Sequence, residues 1–430
     1  MSQTDTLLEF IKHCPTSFHA IKEIKQVLSN LGYQELKEQE EWDLLPQGSY
    51  YVIRNDSSLI SFHLPSRLTG GFMIGAAHSD SPSFKLKPNP ELIQDGMVRL
   101  NVEPYGGMLV STWFDRPLTI GGRICYFDQG AVKRSLVYID QDLLVIPSLA
   151  IHMDRTVNEG HKFDLQKELL PLFRTADSAT SFLTLLASET GCSEEDILSY
   201  DLFLCQRTPG TVFGANQEFI GAGRLDDLQC AYSLWNGFIQ ARESESIPVL
   251  AIFDHEEVGS MSMQGADGTF LSDVLGRIAR SVNMETEVLA ARSFLISADN
   301  AHAVHPNYPE KADSSSRPKL NGGIVIKSAA SQAYTSDAIS SALFRSLCNE
   351  AGLKVQEFVN HSNIRGGSTL GRLSLSHFSL HSVDIGLPQL AMHSSWETAG
   401  ASDTDTLIQA MKRFYSSDLL EEDGAMRFRY

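Results

Sequence analysis

The chain has 430 residues, with 53 acidic and 35 basic side chains and a formal net charge of −18. Hydrophobic residues at 42% and charged residues at 20% describe a folded chain rather than a disordered one, long enough for roughly two to three domains at ~150 residues each. The acidic balance argues against nucleic acid as a partner, and no run of about 20 apolar residues offers a membrane span.

The start reads as two helices. Asp5 to His13 carries Leu7, Leu8 and Ile11 at helical spacing until Pro15 stops it. Thr16 or Ser17 then caps a second helix with Ile21, Ile24, Val27 and Leu28 on one stripe, closed by Gly32. Strands are expected at 51–54, 59–64 and 72–77, the last almost wholly apolar and therefore buried on both faces. From about Lys85 the texture changes to short β-rich segments punctuated by glycines, at 98–103, 108–114, 118–127 and 131–139, with a helix at 176–190. Beyond Gly221 helices and strands alternate: helices at 225–242, 270–282, 336–351 and 404–416, strands at 249–253, 294–298, 323–326, 355–358 and 379–385. The last helix closes the chain in this reading. The alternation predicts an α/β fold with parallel strands, and the β-rich stretch reads as a mainly antiparallel domain inserted into it. The expected division is 1–85 with 222–430 for the α/β domain and 86–221 for the insertion.

In an open α/β sheet, ligands bind beyond the carboxyl ends of the strands. Polar clusters fall at such ends: His78 and Asp80 after 72–77, Asp254 to Glu257 after 249–253, Asp299 after 294–298, and His393 after an apolar stretch. Asp226 and Asp227 open the helix at 225–242. Imidazoles and carboxylates without thiolate suit zinc, manganese or cobalt at a hydrolytic centre. A two-metal hydrolase needs about three protein ligands per ion, one carboxylate shared, and a separate general base. His78, Asp226, Glu257, Asp299 and His393 are the candidate ligands, which leaves Glu256 as the candidate base. Asp80 is the candidate group to hold the other nitrogen of His78. His302 and His305 follow Asp299; one is read as supporting a ligand, the other as capping the loop before Pro306. Competing chemistries lack their signatures: there is no G-x-S-x-G elbow, no phosphate loop and no H-E-x-x-H. The six scattered cysteines contain no Cys-x-x-Cys pair, which removes a zinc ribbon or dithiol redox site.

Seven ordered blocks make the chain recognisable: 77–82, 111–116, 146–152, 223–227, 254–260, 297–307 and 389–394. On these it resembles the aspartyl aminopeptidase family of metallopeptidases over nearly its whole length. The resemblance implies a zinc-peptidase-like α/β catalytic domain and two Zn(2+) per subunit, with Mn or Co able to substitute. His78 and Asp299 would hold one ion, Glu257 and His393 the other, and Asp226 would bridge them. Glu256 would be the general base and Asp80 the acid behind His78. His152 would reach a neighbouring subunit's site. The resemblance further implies a homo-oligomer, a dodecamer of dimers built through the inserted domain, that admits short peptides. With no basic and apolar leader visible, a cytoplasmic location is expected. The sequence departs from the family in two places. Ala333 stands where an arginine is common, with only Lys327 preceding that block, which puts a preference for N-terminal Asp or Glu in question. Arg365, on a glycine-containing segment, is a candidate for the missing charge. The alternatives are a metal-dependent deacylase on a related fold and a non-catalytic assembly protein with a relict site.

Overall fold

A computed structural model of the chain describes residues 2–364, 366–367 and 369–430. Its centre is a nine-stranded mixed sheet. In spatial order the strands are Gln34–Leu36, Ser49–Arg54, Ser58–His63, Ile247–Phe253, Phe72–His78, Phe294–Ala298, His381–Gly386, Ile324–Lys327 and Val355–Phe358. The four from Ile247–Phe253 to His381–Gly386 are mutually parallel. Antiparallel pairings with Ser58–His63 and Ile324–Lys327 flank this core, so the sheet is mixed rather than all-parallel.

The apolar run at Phe72–His78 is explained by burial on both faces. Met73 and Ala77 join one core, with the helices Gln3–His13, Ser17–Asn30, Leu225–Ile239 and Asp403–Tyr415. Phe72, Ile74 and Ala76 join a second core, with Phe270–Ser281 and Leu370–His377. Alternate side chains of one strand thus feed opposite cores, as pleating requires. At Gly237 an added Cβ would lie 2.6 Å from Met411 Cβ and 2.8 Å from the Lys412 backbone nitrogen. Glycine lets Leu225–Ile239 and Asp403–Tyr415 cross closely there.

All but residues 83–85 of a six-stranded antiparallel sheet fall in the span 86–221 proposed as the insertion. The sheet runs in the order Ala131–Tyr138, Leu118–Asp128, Ile197–Gln206, Ser83–Gln94, Met97–Tyr105 and Leu172–Thr175, over its own apolar core. Thr211–Phe213 and Phe219–Ala222 belong instead to a small sheet with Glu397–Gly400, Pro388–Leu390 and Ala301–His302.

Several elements differ from expectation. The segment 108–114 contains no strand; Val110–Trp113 is a single 3-10 turn. The helix expected from residue 176 begins at Phe182, where the Ser181 hydroxyl accepts the Thr184 N–H. The chain does not end on a helix, because Asp418–Glu422 and Ala425–Arg429 form a hairpin after it. Leu370–His377 and Thr286–Ala291 are helices that the sequence pattern did not reveal.

Candidate metal centre

Three parallel strands deliver the site. In register Phe253 lies opposite His78, so the strand ends present His78 and the segment Asp254–Glu257 side by side. Phe294–Ala298 ends alongside and presents Asp299. Asp226 enters from the first turn of Leu225–Ile239, where its backbone is not helical and its peptide bond to Asp227 is cis. His393 comes from the turn after Pro388–Leu390, at a φ of +66°.

These five residues and Glu256 converge. Ligand atoms of His78, Asp226, Asp227 and Asp299 lie within 4.8 Å of one another, as do those of Asp226, Glu257 and His393, and those of His78, Glu256 and Glu257. Asp226 stands between the two histidines. Its Oδ1 is 3.6 Å from His78 Nε2 and its Oδ2 is 3.5 Å from His393 Nε2. His393 Nε2 is also 3.4 Å from Glu257 Oε2.

The ring orientations are fixed from behind. His78 Nδ1 donates to the Asp80 carbonyl at 3.1 Å and faces Asp80 Oδ1 at 3.3 Å. His393 Nδ1 donates to the Gly107 carbonyl at 2.6 Å. Both imidazoles therefore turn Nε2 toward the cluster, as metal-binding histidines do. Asp80 also accepts the Glu256 N–H at 3.1 Å and the Glu257 N–H at 3.2 Å, which positions the candidate base and its neighbour. Lys327 is buried and donates to the Asp299 carbonyl at 2.7 Å, with Nζ 3.4 Å from Asp299 Oδ2.

The electrostatics show a cluster with more carboxylate than cation. Burial, with the charges of Asp299, Asp80 and Asp226, pushes Glu256 up to about 8 against the pull of His78. Burial raises Glu257 and Asp227 well above the carboxylate range. Burial pulls His393 down, but the hydrogen bond and charge of Asp226, the Gly107 carbonyl and the charge of Glu397 together lift it to about 9. Among the described residues, buried Asp226 Oδ1, Asp227 Oδ1 and Glu257 Oε1 have no hydrogen-bond partner. Buried carboxylate oxygens without partners are costly unless a cation neutralises them. An all nitrogen-and-oxygen donor set with orphaned inward oxygens fits divalent metal ions of the zinc type.

Not every expected residue is here. His152 lies exposed in a turn and, among the described residues, makes no hydrogen bond or ion pair with the cluster. His302 lines the cavity over the cluster and stacks edge-on to Phe358 at 6.1 Å. His305 instead accepts the Asn307 N–H at 3.2 Å and packs beside Tyr308. Ala333 lines a neighbouring pocket rather than this cavity, and Arg365 lies outside the described residues. Three groups at the site have no role in the sequence reading, although one of them, Asp227, is named there beside Asp226. Asp227 accepts the His78 N–H at 3.2 Å. Glu397, buried, accepts the Asp226 N–H at 3.1 Å and the His393 N–H at 2.7 Å. Tyr105 donates its hydroxyl to Asp80 Oδ2 at 2.7 Å.

The sequence profile described as "Aminopeptidase I zinc metalloprotease (M18)" matches residues 10–415. The chain belongs to the M18 family of zinc metalloproteases. It is 43% identical over 422 residues to the "Probable M18 family aminopeptidase 2" of Clostridium novyi, covering 95% of this chain and 98% of that one. Its fold matches Ape4 from a complex with Nbr1 at a TM-score of 0.93 and 33% identity, over 96% of this chain and 85% of that one. It matches the S. cerevisiae mApe1 dodecamer at a TM-score of 0.84 and 27% identity, over 96% of each chain. The M18 chain is thus a metal-dependent aminopeptidase. Among the described residues no helix is long and apolar enough to cross a membrane.

Proposed function

We propose that this M18 chain hydrolyses N-terminal residues from short peptides at a dinuclear zinc centre. The observation that carries the reading is Asp226, whose two oxygens face two different histidines at 3.6 and 3.5 Å. A carboxylate so placed is suited to be shared by two ions. His78 and Asp299 would hold one zinc, Glu257 and His393 the other, with Mn or Co able to substitute. When bound, the ions supply Lewis acidity that polarises the scissile carbonyl and brings the pKa of water toward neutrality.

This chain's own residues do the rest. Glu256 stands beside the ligands, its carboxylate grouped with the His78 imidazole and the Glu257 carboxylate, where a base can accept a proton from water and return it to the leaving amine. Asp80 holds the Glu256 and Glu257 amides, so the base and its neighbour keep fixed positions. The cavity over the cluster, about 330 Å³, is rimmed by Asp226, Glu256, Glu257 and Asp299. A free substrate carboxylate would need a cation of its own beside the ions, and the described lining offers none unpaired, which weighs against the deacylase reading. Lys327 is the lysine or arginine among the described lining residues, and it already faces Asp299. With Ala333 adding no charge, we infer that N-terminal Asp and Glu are accepted alongside neutral residues.

The exposed turn carrying His152 is suited to serve a second copy rather than its own cavity. With the dodecameric mApe1 relative, this supports a homo-oligomer, and we infer a dodecamer in the cytoplasm.

The test is turnover of a panel of aminoacyl β-naphthylamides and short peptides by the zinc-loaded protein beside Glu256→Gln. The variant should keep both ions and lose about 10²- to 10⁴-fold in kcat, the range of a lost general base. Failure of the loaded wild type to release any N-terminal residue would overturn the reading.

A further inference from the structure

One segment of the six-stranded sheet touches the metal centre from outside the catalytic strands. After Met97–Tyr105 the chain passes the cluster before reaching the turn Val110–Trp113. Along that passage nearly every residue meets a group of the site. The Tyr105 hydroxyl donates to Asp80 Oδ2 at 2.7 Å. Gly106, at a φ of +75°, passes so close that an added Cβ would lie 3.1 Å from Glu257 Cβ. The Gly107 carbonyl accepts His393 Nδ1–H at 2.6 Å, and the Leu109 N–H donates to the His393 carbonyl at 2.9 Å. Thr112 Oγ1 then accepts the Ser395 N–H at 2.9 Å.

These contacts are unevenly distributed. Glu257 and His393 are met directly, one by close packing and one by hydrogen bonds at both its ring and its backbone. Asp299 receives no such contact; its support comes from Lys327 and the central sheet. His78 is reached only through Asp80.

We propose that residues 105–112 form a positioning strap for the Glu257–His393 half of the metal centre, with Tyr105 and Gly106 as its positioning residues. The proposal rests on the dinuclear reading above. The Gly107 carbonyl fixes the tautomer of His393 that leaves Nε2 available to an ion. Tyr105 acts one step further back. Its hydroxyl donates to Asp80 Oδ2, the oxygen that also accepts the Glu257 amide, whereas Asp80 Oδ1 accepts the Glu256 amide and faces His78. Its ring packs edge-on against Phe203 at 5.3 Å, so removing the hydroxyl leaves the side chain in place. An added methyl at Gly106 would press on Glu257 and would occupy a φ that disfavours any side chain. The inserted sheet thereby becomes part of its own subunit's active site, in addition to any role between subunits.

The test compares intact, zinc-loaded wild type, Tyr105→Phe and Gly106→Ala during titration with a chelator. Zinc per subunit is read by atomic absorption, kcat and KM are measured separately, and the visible spectrum is recorded after cobalt substitution. The expected result is loss of one ion from each variant at about 10- to 100-fold lower chelator than in wild type, the other ion being retained. The same variants should show a lower kcat with KM little changed and an altered cobalt band. Wild-type retention in both variants would overturn the strap, as would simultaneous loss of both ions. If Gly106→Ala does not fold, Tyr105→Phe decides alone. A wild type that never holds more than one ion fails the dinuclear reading instead. In that case weaker hold on the single ion in Tyr105→Phe supports the strap, and an unchanged hold overturns it.

Discussion

Glu397 shows how much of the candidate metal centre rests on a residue outside the candidate ligand set. It is buried, and its two oxygens accept the backbone amides of Asp226 and His393. Burial, together with the nearby charge of Asp226, pushes its own carboxyl up to about 8. One side chain therefore sets the spacing between the proposed bridging carboxylate and one histidine. Glu397→Ala would leave two buried amides unpaired, each costing about 1–3 kcal/mol. Zinc binding should weaken about 10- to 100-fold, read by competition with a chelator, while Glu397→Gln should lose less because one acceptor remains. Equal retention in the alanine variant and the wild type would refute the role. The candidate cluster was legible, because apolar strands ending in His78, Asp254–Glu257 and Asp299 place polar groups where α/β sheets bind ligands. Glu397 and Tyr105 were not. Tyr105 acts through Asp80, 25 residues away, and Glu397 through Asp226, 171 residues away, as well as through nearby His393; neither carries a local mark of the distant contact.

At the scale of elements, the closest constraint on the site is the crossing of Leu225–Ile239 with Asp403–Tyr415. The first helix carries Asp226 at its start, so its axis sets where that carboxylate stands. Gly237 permits the crossing, with Met411 and Lys412 at 2.6 and 2.8 Å from an added Cβ. Gly237→Val should cost about 1–3 kcal/mol in urea unfolding, as overpacking does, and the displaced helix should also lower kcat. An unchanged midpoint would show that the helices separate freely. Helices of this kind were legible from their apolar period. The segment 108–114 was not, although Val110, Thr112 and Trp113 read as strand formers. It finds no ladder, because its polar groups pair with the site: Leu109 with His393, and Thr112 with Ser395. The C-terminal hairpin was missed for the opposite reason. Its residues are half polar, and Phe428 gains its place only by packing on Phe294 and Phe414 from distant segments.

Over the whole molecule, the catalytic body and the six-stranded sheet meet around the start of Ser17–Asn30. The Arg123 guanidinium lies over the Phe18 ring at 4.5 Å and pairs with Asp201 and Asp56. Next to Phe18, His19 is buried, with Nδ1 2.8 Å from the Thr16 hydroxyl and its ring 6.4 Å from Tyr138 of the six-stranded sheet. Burial, with the charges of Lys22 and Arg224, pulls this histidine down to about 4. An unfolded histidine titrates near ~6.5, so between these values the unfolded chain takes up a proton that the folded chain refuses. Stability from this residue is complete above ~6.5 and declines as pH falls toward about 4, by roughly 3–4 kcal/mol at most, at ~1.4 kcal/mol per unit. His19→Gln removes that titration and leaves the histidines of the metal centre unchanged. Its unfolding free energy should therefore fall less steeply than wild type across that window, in urea titrations of zinc-loaded protein at a series of pH values. Parallel profiles would mean that His19 opens to water before the molecule unfolds, and the junction of body and six-stranded sheet would then not be the acid-sensitive element.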